Sequence, residues 1–234
     1  MHASIARALY RGYVRRLDQR PERPLRPPAA VRTRGAWMRQ SLLEIERQPH
    51  FVVIESQRHG HGKQEMAMVM GVWRQPETWA EGWQGIAFLL NARHCEVHPV
   101  EIPVRLTHHL IERTMQRLNL DQPVAAIQSL GPAIYTALWN AAIDGGVDGN
   151  RLLGMPGGAV IAAPAQDDPD CWALVTFVDD DKLRPAQHLD IQATARRAQT
   201  HAEAFAQLGA PIMPPPLRQA RRIDAPVPRA WACA

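Results

Sequence analysis

The sequence predicts an α+β fold, with helices packed on a mainly antiparallel β-sheet and a basic N-terminal arm. Three observations lead there. Short β-rich runs bounded by glycine and proline turns recur in both halves of the chain, at 51–73 and 152–178. Between them lies Thr107–Leu118, whose apolar residues Leu110, Ile111, Thr114, Met115 and Leu118 repeat at helical spacing. The prolines crowd towards both ends, which separates an ordered body from looser termini.

The chain has 234 residues, 46% of them hydrophobic, enough for one substantial core. The expected organisation is a basic arm or linker over 1–36, one α+β domain over 37–210, and a Pro/Arg-rich tail over 211–234. The net charge of +4 permits an anionic partner without requiring one. Cys95, Cys171 and Cys233 are odd in number and far apart, which favours a reduced compartment over a disulfide framework. The N-terminus lacks the apolar stretch of a secretory signal, and no segment approaches the roughly 20 apolar residues of a membrane span. The expectation is a cytoplasmic protein with no membrane association.

In order along the chain, Ile5–Leu17 can form a basic helix, with Leu9, Tyr13 and Leu17 at four-residue spacing. The Pro-Glu-Arg-Pro-Leu-Arg-Pro-Pro run then stops it. Arg7, Arg11, Arg15 and Arg16 make this region the candidate for nucleic-acid binding, against a solvated extension as the plainer alternative. Trp37–Arg47 reads as helix and ends at Gln48-Pro49. Phe51–Ser56 and Met66–Trp73 read as strands joined by the glycine-rich loop Arg58-His59-Gly60-His61-Gly62-Lys63. After a polar segment at 75–84, Ile86–Leu90 and Cys95–Leu106 return as extended chain. Pro99 and Pro103 restrict the second to an edge or an interrupted strand.

Thr107 is placed to cap the central helix, and Asp121 to cap the next, whose apolar stripe is Val124, Ile127 and Leu130. Gly131-Pro132 separates it from a third helix over Ala133–Ile143. Leu152–Ala163 and Cys171–Val178 read as a strand pair, and Pro185–Leu208 as the last helix.

On the central helix, His109, Arg113 and Gln116 lie opposite the apolar face, with Arg117 beside them. Metal-independent RNA cleavage needs a base for the ribose 2′-hydroxyl, an acid for the leaving oxygen, and donors around the phosphate charge. Histidine and arginine suit those tasks, and an ordinary solvated face has the same composition. The His59/His61 loop, with Lys63 as a phosphate contact, is the candidate source of a second imidazole. A polar hairpin turn without chemistry is the competing reading of that loop. His108 can pair with Glu112 one turn on. His94, Cys95 and His98 lack the second ligand pair that zinc sites commonly show, so no metal or cofactor is expected.

The stretch His109–Arg117 resembles the His-x3-Arg-x3-Arg helix of small bacterial domains related to the barnase, EndoU, colicin and RelE class of ribonuclease toxins. The resemblance extends over Leu106–Val178, with Leu118-Asn119 standing where that group usually carries a glycine. It implies a metal-independent endoribonuclease acting on RNA, with a cognate inhibitor or protein complex as partner. His109, Arg113 and Arg117 occupy the matching positions, and Thr176 looks like the strand polar residue that faces such a site. The alternative is a non-catalytic nucleic-acid-binding or assembly protein of a bacterial or mobile-element system.

Overall fold

The computed structural model describes residues 1–21, 25, 33–60, 64–74, 82–144 and 146–207. Helix α1 (Ala3–Asp18) and helix α2 (Arg34–Glu46) precede a four-strand meander: β1 (Phe51–His59), β2 (Met66–Trp73), β3 (Gly82–Asn91) and β4 (Glu96–Thr107). Three helices follow: α3 (His108–Arg117), α4 (Pro123–Ser129) and α5 (Gly131–Asp144). A second meander, β5 (Arg151–Met155), β6 (Gly158–Pro164) and β7 (Trp172–Asp179), leads through a 3₁₀ turn at Asp180–Lys182 to α6 (Pro185–Gln207). The seven strands form one sheet in the order β1-β2-β3-β4-β7-β6-β5. Every pairing is antiparallel except β4 with β7, which is parallel over Val104–Leu106 and Trp172–Leu174. The fold is α+β on a mainly antiparallel sheet.

Alternation along β2 shows how the first meander is covered on both faces. Met68, Met70 and Val72 enter the larger core, beneath α1, α3, α4 and α5. Ala67, Val69 and Trp73 point the other way, where Trp37, Met38, Leu42 and Ile45 of α2 close a second core. Two buried faces explain why β2 is apolar along its whole length rather than alternating.

Four expectations need correction. Residues 3–18 are not a free arm: α1 lies on the sheet with Ala6, Tyr10 and Leu17 buried. The buried stripe runs through Ala6, Tyr10 and Leu17, so Leu9 is left 40% exposed. Much of the proline-rich run and the tail at 211–234 lie outside the described residues. Second, Leu152–Ala163 is two strands, broken at Pro156-Gly157, where Gly157 takes φ +81°. A Pro-Gly pair is a turn signal, and a positive φ favours glycine.

Third, β4 is an interior strand despite its prolines. Pro103 lies in a bulge where Ile102–Val104 oppose the single residue Gly85, and β7 joins β4 only from Val104 onwards. Neither proline therefore interrupts a continuous two-sided ladder. Fourth, α4 is capped by Gln122 without a side-chain bond, with Pro123 opening the helix, so Asp121 does not supply the cap. Thr107, by contrast, does cap α3: its Oγ1 accepts from the Leu110 amide at 3.1 Å. The same hydroxyl donates to the Val175 carbonyl at 2.9 Å, tying the helix start to β7.

Candidate nucleic-acid interface

Helix α3 buries Leu110, Ile111, Thr114 and Met115 and turns its other side outward. That face divides into three strips. His108 and Glu112 turn towards α1, His109 is exposed, and Arg113 bonds the Gln116 Oε1 at 2.8 Å. Arg117 turns away, to a 3.0 Å ion pair with Asp179 at the end of β7, which Lys182 also reaches at 3.1 Å. The predicted ridge of His109, Arg113 and Arg117 is thus split: two groups face outward and the third is tied to β7.

Helix α1 lies antiparallel to α3. The N-terminal ammonium donates to the Gln116 carbonyl near the end of α3, Arg7 and Arg11 meet Glu112 at 3.3 and 3.7 Å, and Tyr10 meets His108 at the start of α3. Glu112 is 14% exposed, and its two arginines remain 56% and 69% exposed. The expected His108–Glu112 pairing gives way to bonds from each residue to α1.

Tyr10 is the deepest anchor of α1. The Trp83 indole N–H donates to its hydroxyl at 2.9 Å, and His108 Nδ1 lies 2.5 Å from the same oxygen. Burial pushes the Tyr10 phenol well above its ordinary range, opposed in part by the bond from Trp83. Tyr13 stacks on Trp83 with the rings 6.3 Å apart, and burial raises its phenol too. At the end of α1, buried His50 donates Nε2–H to the Leu17 carbonyl at 3.0 Å. Buried Arg74 donates to Asp18 at 3.3 Å and to the Gly82 carbonyl at 2.9 Å. The one acidic residue of α1 is thereby turned to an internal arginine.

The outward side of α1 is consequently basic. Arg7, Arg11 and Arg15 follow one another at i,i+4, a repeat of about 6 Å along the axis. Arg15 and Arg16 are both exposed. Four guanidiniums stand on a fixed helix, with Glu112 as the carboxylate placed among them.

The remaining predicted site residues are elsewhere. His59 closes β1, in the row His59–Met66–Asn91–Glu96 across the first meander. Helix α3 starts from the opposite end, beyond the row Phe51–Trp73–Gln84–Arg105. Eight residues of strand separate the rows along β1, roughly 26 Å. His59 is therefore no proton-transfer partner for His109. His61 and Lys63 lie outside the described residues.

Thr176 does not face α3 either. A register shift gives β7 one extra residue, Val175, so Leu174 pairs with Ala162, Thr176 with Ile161, and Phe177 with Val160. Leu174, Phe177, Val160 and Ala162 all belong to the larger core beneath the helices. Their neighbours Thr176 and Ile161 therefore point through the other side of the sheet. The expectation that Leu174 and Thr176 share a face fails at that bulge.

A separate polar group sits where β3 meets β4. Arg105, buried, donates to Gln84 Oε1 at 2.7 Å and to Asp167 Oδ1 at 2.6 Å. Burial would lower the Arg105 pKa, but the Asp167 bond and neighbouring acids leave it raised. The bond from Arg105 in turn holds the Asp167 carboxyl below its ordinary value. Buried Cys171 nearby is pushed up to about 12 by desolvation, with Arg105 pulling the other way. Glu96 and His98 share an outward face of β4 and bond each other at 3.2 Å. Among the described residues no group of three or more His, Cys, Asp or Glu could hold a metal ion. No helix among them is long and apolar enough to cross a membrane.

Sequence reasoning found the arginines of α1 but missed what fixes them: Tyr10, His108, Trp83, Asp18 and Arg74. The signal for Tyr10 was present, as Ala6, Tyr10, Tyr13, Val14 and Leu17 repeat at helical spacing. Its partners, 73 and 98 residues away, left no local trace. Comparison with protein-family models, curated proteins and solved structures finds no match to the chain.

Proposed function

We propose that this protein binds the phosphate backbone of nucleic acid, RNA in the first instance, through the outer face of α1 and the adjoining edge of α3, without cleaving it. One observation carries this reading: Arg7, Arg11, Arg15 and Arg16 project from a helix whose only acid, Asp18, is held by Arg74. An i,i+4 row of guanidiniums suits successive phosphates, since each presents a planar fork of donors. Because α1 is already docked, binding need not pay for ordering it. Arg113 extends the same positive edge onto α3, with exposed His109 beside it.

Against strand cleavage stands the separation of the proposed acid–base partners. His109 has neither His59 nor Thr176 beside it, and Arg117 is engaged with Asp179. Contacts of this kind read phosphate rather than base edges, so binding is expected to tolerate many sequences.

The test is anisotropy of a labelled single-stranded RNA titrated across a salt series, with the RNA run on a denaturing gel afterwards. Affinity should fall steeply with salt, and removing one guanidinium from its phosphate should reduce the log–log slope by about 0.7. The triple variant Arg11→Gln/Arg15→Gln/Arg16→Gln should lose about two units of slope while keeping its fold. Unchanged binding by that variant would overturn the assignment to α1. RNA shortened by wild type in chelator, but not by His109→Ala, would restore the nuclease reading instead.

A further inference from the structure

We propose that Tyr10 is a positioning residue that fastens α1 to α3 only while His108 is neutral, which makes the outer face of α1 sensitive to pH. The argument is hydrogen-bond arithmetic. An indole N–H can only donate, so Trp83 occupies one lone pair of the Tyr10 oxygen. The phenol keeps one proton to place, its side chain is buried, and His108 Nδ1 stands at 2.5 Å. For Nδ1 to accept that proton it must be bare, which makes His108 the neutral tautomer carrying its hydrogen on Nε2.

Protonating His108 puts a hydrogen on both nitrogens. Nδ1–H then meets a phenol whose own proton already points at it. Either that proton turns into buried surroundings or the two side chains part. Among the described residues, the charged and titratable groups around the pair are Glu112 on α3 with Arg7 and Arg11 on α1, Arg74 after β2 with Asp18, and Tyr13 against Trp83. Glu112 and Arg74 oppose one another in sign at Tyr10; Arg74 has no acceptor to offer the displaced phenol proton, and the Glu112 carboxylate is engaged by Arg7 and Arg11.

The other ties of α1, through Arg7, Arg11, Leu17 and Asp18, do not pass through His108. Acid is therefore expected to loosen the first three turns rather than detach the helix. That this modulates nucleic-acid binding rests on the function proposed above; the fastening itself does not.

Hydrogen exchange of the amides in 3–18 tests it, corrected for intrinsic rates, at pH 8 and pH 5.5, with β2 and β3 amides as internal reference. Wild-type protection over 3–14 should fall on the order of tenfold at the lower pH, the equivalent of one lost buried bond. Tyr10→Phe, which keeps the ring, should be weakly protected at both pH values. His108→Asn places a non-titrating amide oxygen near the position of Nδ1 and should remain protected at both. A pH-independent wild type, a Tyr10→Phe variant behaving like wild type, or a pH response surviving in His108→Asn would each overturn the proposal. RNA is absent from the measurement, so failure of the binding reading leaves this result untouched, and the reverse also holds.

Discussion

Arg117 on α3 and Asp179 at the end of β7 form a 3.0 Å ion pair that joins the helix to the second meander. Both side chains are less than a third exposed, so the pair is screened less than a surface bridge. Arg117→Ala is expected to cost about 0.5–1 kcal/mol, roughly 1–3 °C in Tm. A double-mutant cycle with Asp179→Asn should show the two losses to be non-additive. RNA affinity should stay unchanged, which separates this arginine from those of α1. A large affinity loss with no change in Tm would contradict the structural role.

Asp167 gives a prediction with a definite sign. Its carboxyl lies below the ordinary value because Arg105 donates to it. A carboxylate held low stabilises the fold above its unfolded pKa, and that contribution disappears as pH falls through the folded value. Wild type should therefore exceed Asp167→Asn in Tm at neutral pH, and the gap should close below about pH 4. Asp167 is 63% exposed, so the gap should amount to no more than about 1 kcal/mol. Melting both proteins between pH 3 and pH 7 checks it; a gap that widens in acid would reverse the sign.

Cys171 should be inert in the native protein. Burial raises its thiol to about 12, which leaves almost no thiolate at pH 8. Alkylation mapped by mass spectrometry should leave Cys171 unlabelled in the native state and label it in denaturant. Rapid native labelling would place the thiol in a different environment.

Gly85 should tolerate no side chain. A Cβ there would stand 2.7 Å from the Val104 carbonyl oxygen and run into the Ile102 side chain. Both belong to the bulge that accommodates Pro103. Gly85→Ala is expected to destabilise by about 2–3 kcal/mol, read as a drop in the urea midpoint. Gly35→Ala in α2 offers a control, since a Cβ at Gly35 would meet only the end of the Arg39 side chain, 3.9 Å away.

What was legible in the chain was local. The Thr107 cap and the Leu110, Ile111, Thr114 and Met115 stripe specify α3 from within a dozen residues, and the structure keeps both. The strands of the first meander were readable for the same reason. Register was not. Thr176 faces away from the helices because Val175 is an extra residue relative to β6, a fact carried by pairing with Ala162 and Ile161 rather than by the β7 sequence.

The same limit applied to the N-terminus. A run of arginines before prolines suggests a solvated arm when only composition is weighed. Trp83, His108, His50 and Arg74 hold that run as a helix, and each lies far along the chain from its partner. The chemical identity of the binding residues was thus available from sequence, whereas their rigidity was not. The histidine ridge is divided for a complementary reason: helical spacing puts Arg117 next to Arg113, but Asp179 pairs with it from β7.

The parallel β4–β7 seam has a consequence for how the molecule comes together and comes apart. Only three residue pairs span it, whereas β2 and β3 share eight, so the sheet has its thinnest stitching near the middle. Each antiparallel half can be built from neighbouring hairpins, but the seam must wait until 64 intervening residues have been laid down between Thr107 and Trp172. Pulled from its two ends, such a sheet is expected to part along this inner line, leaving two zipped halves.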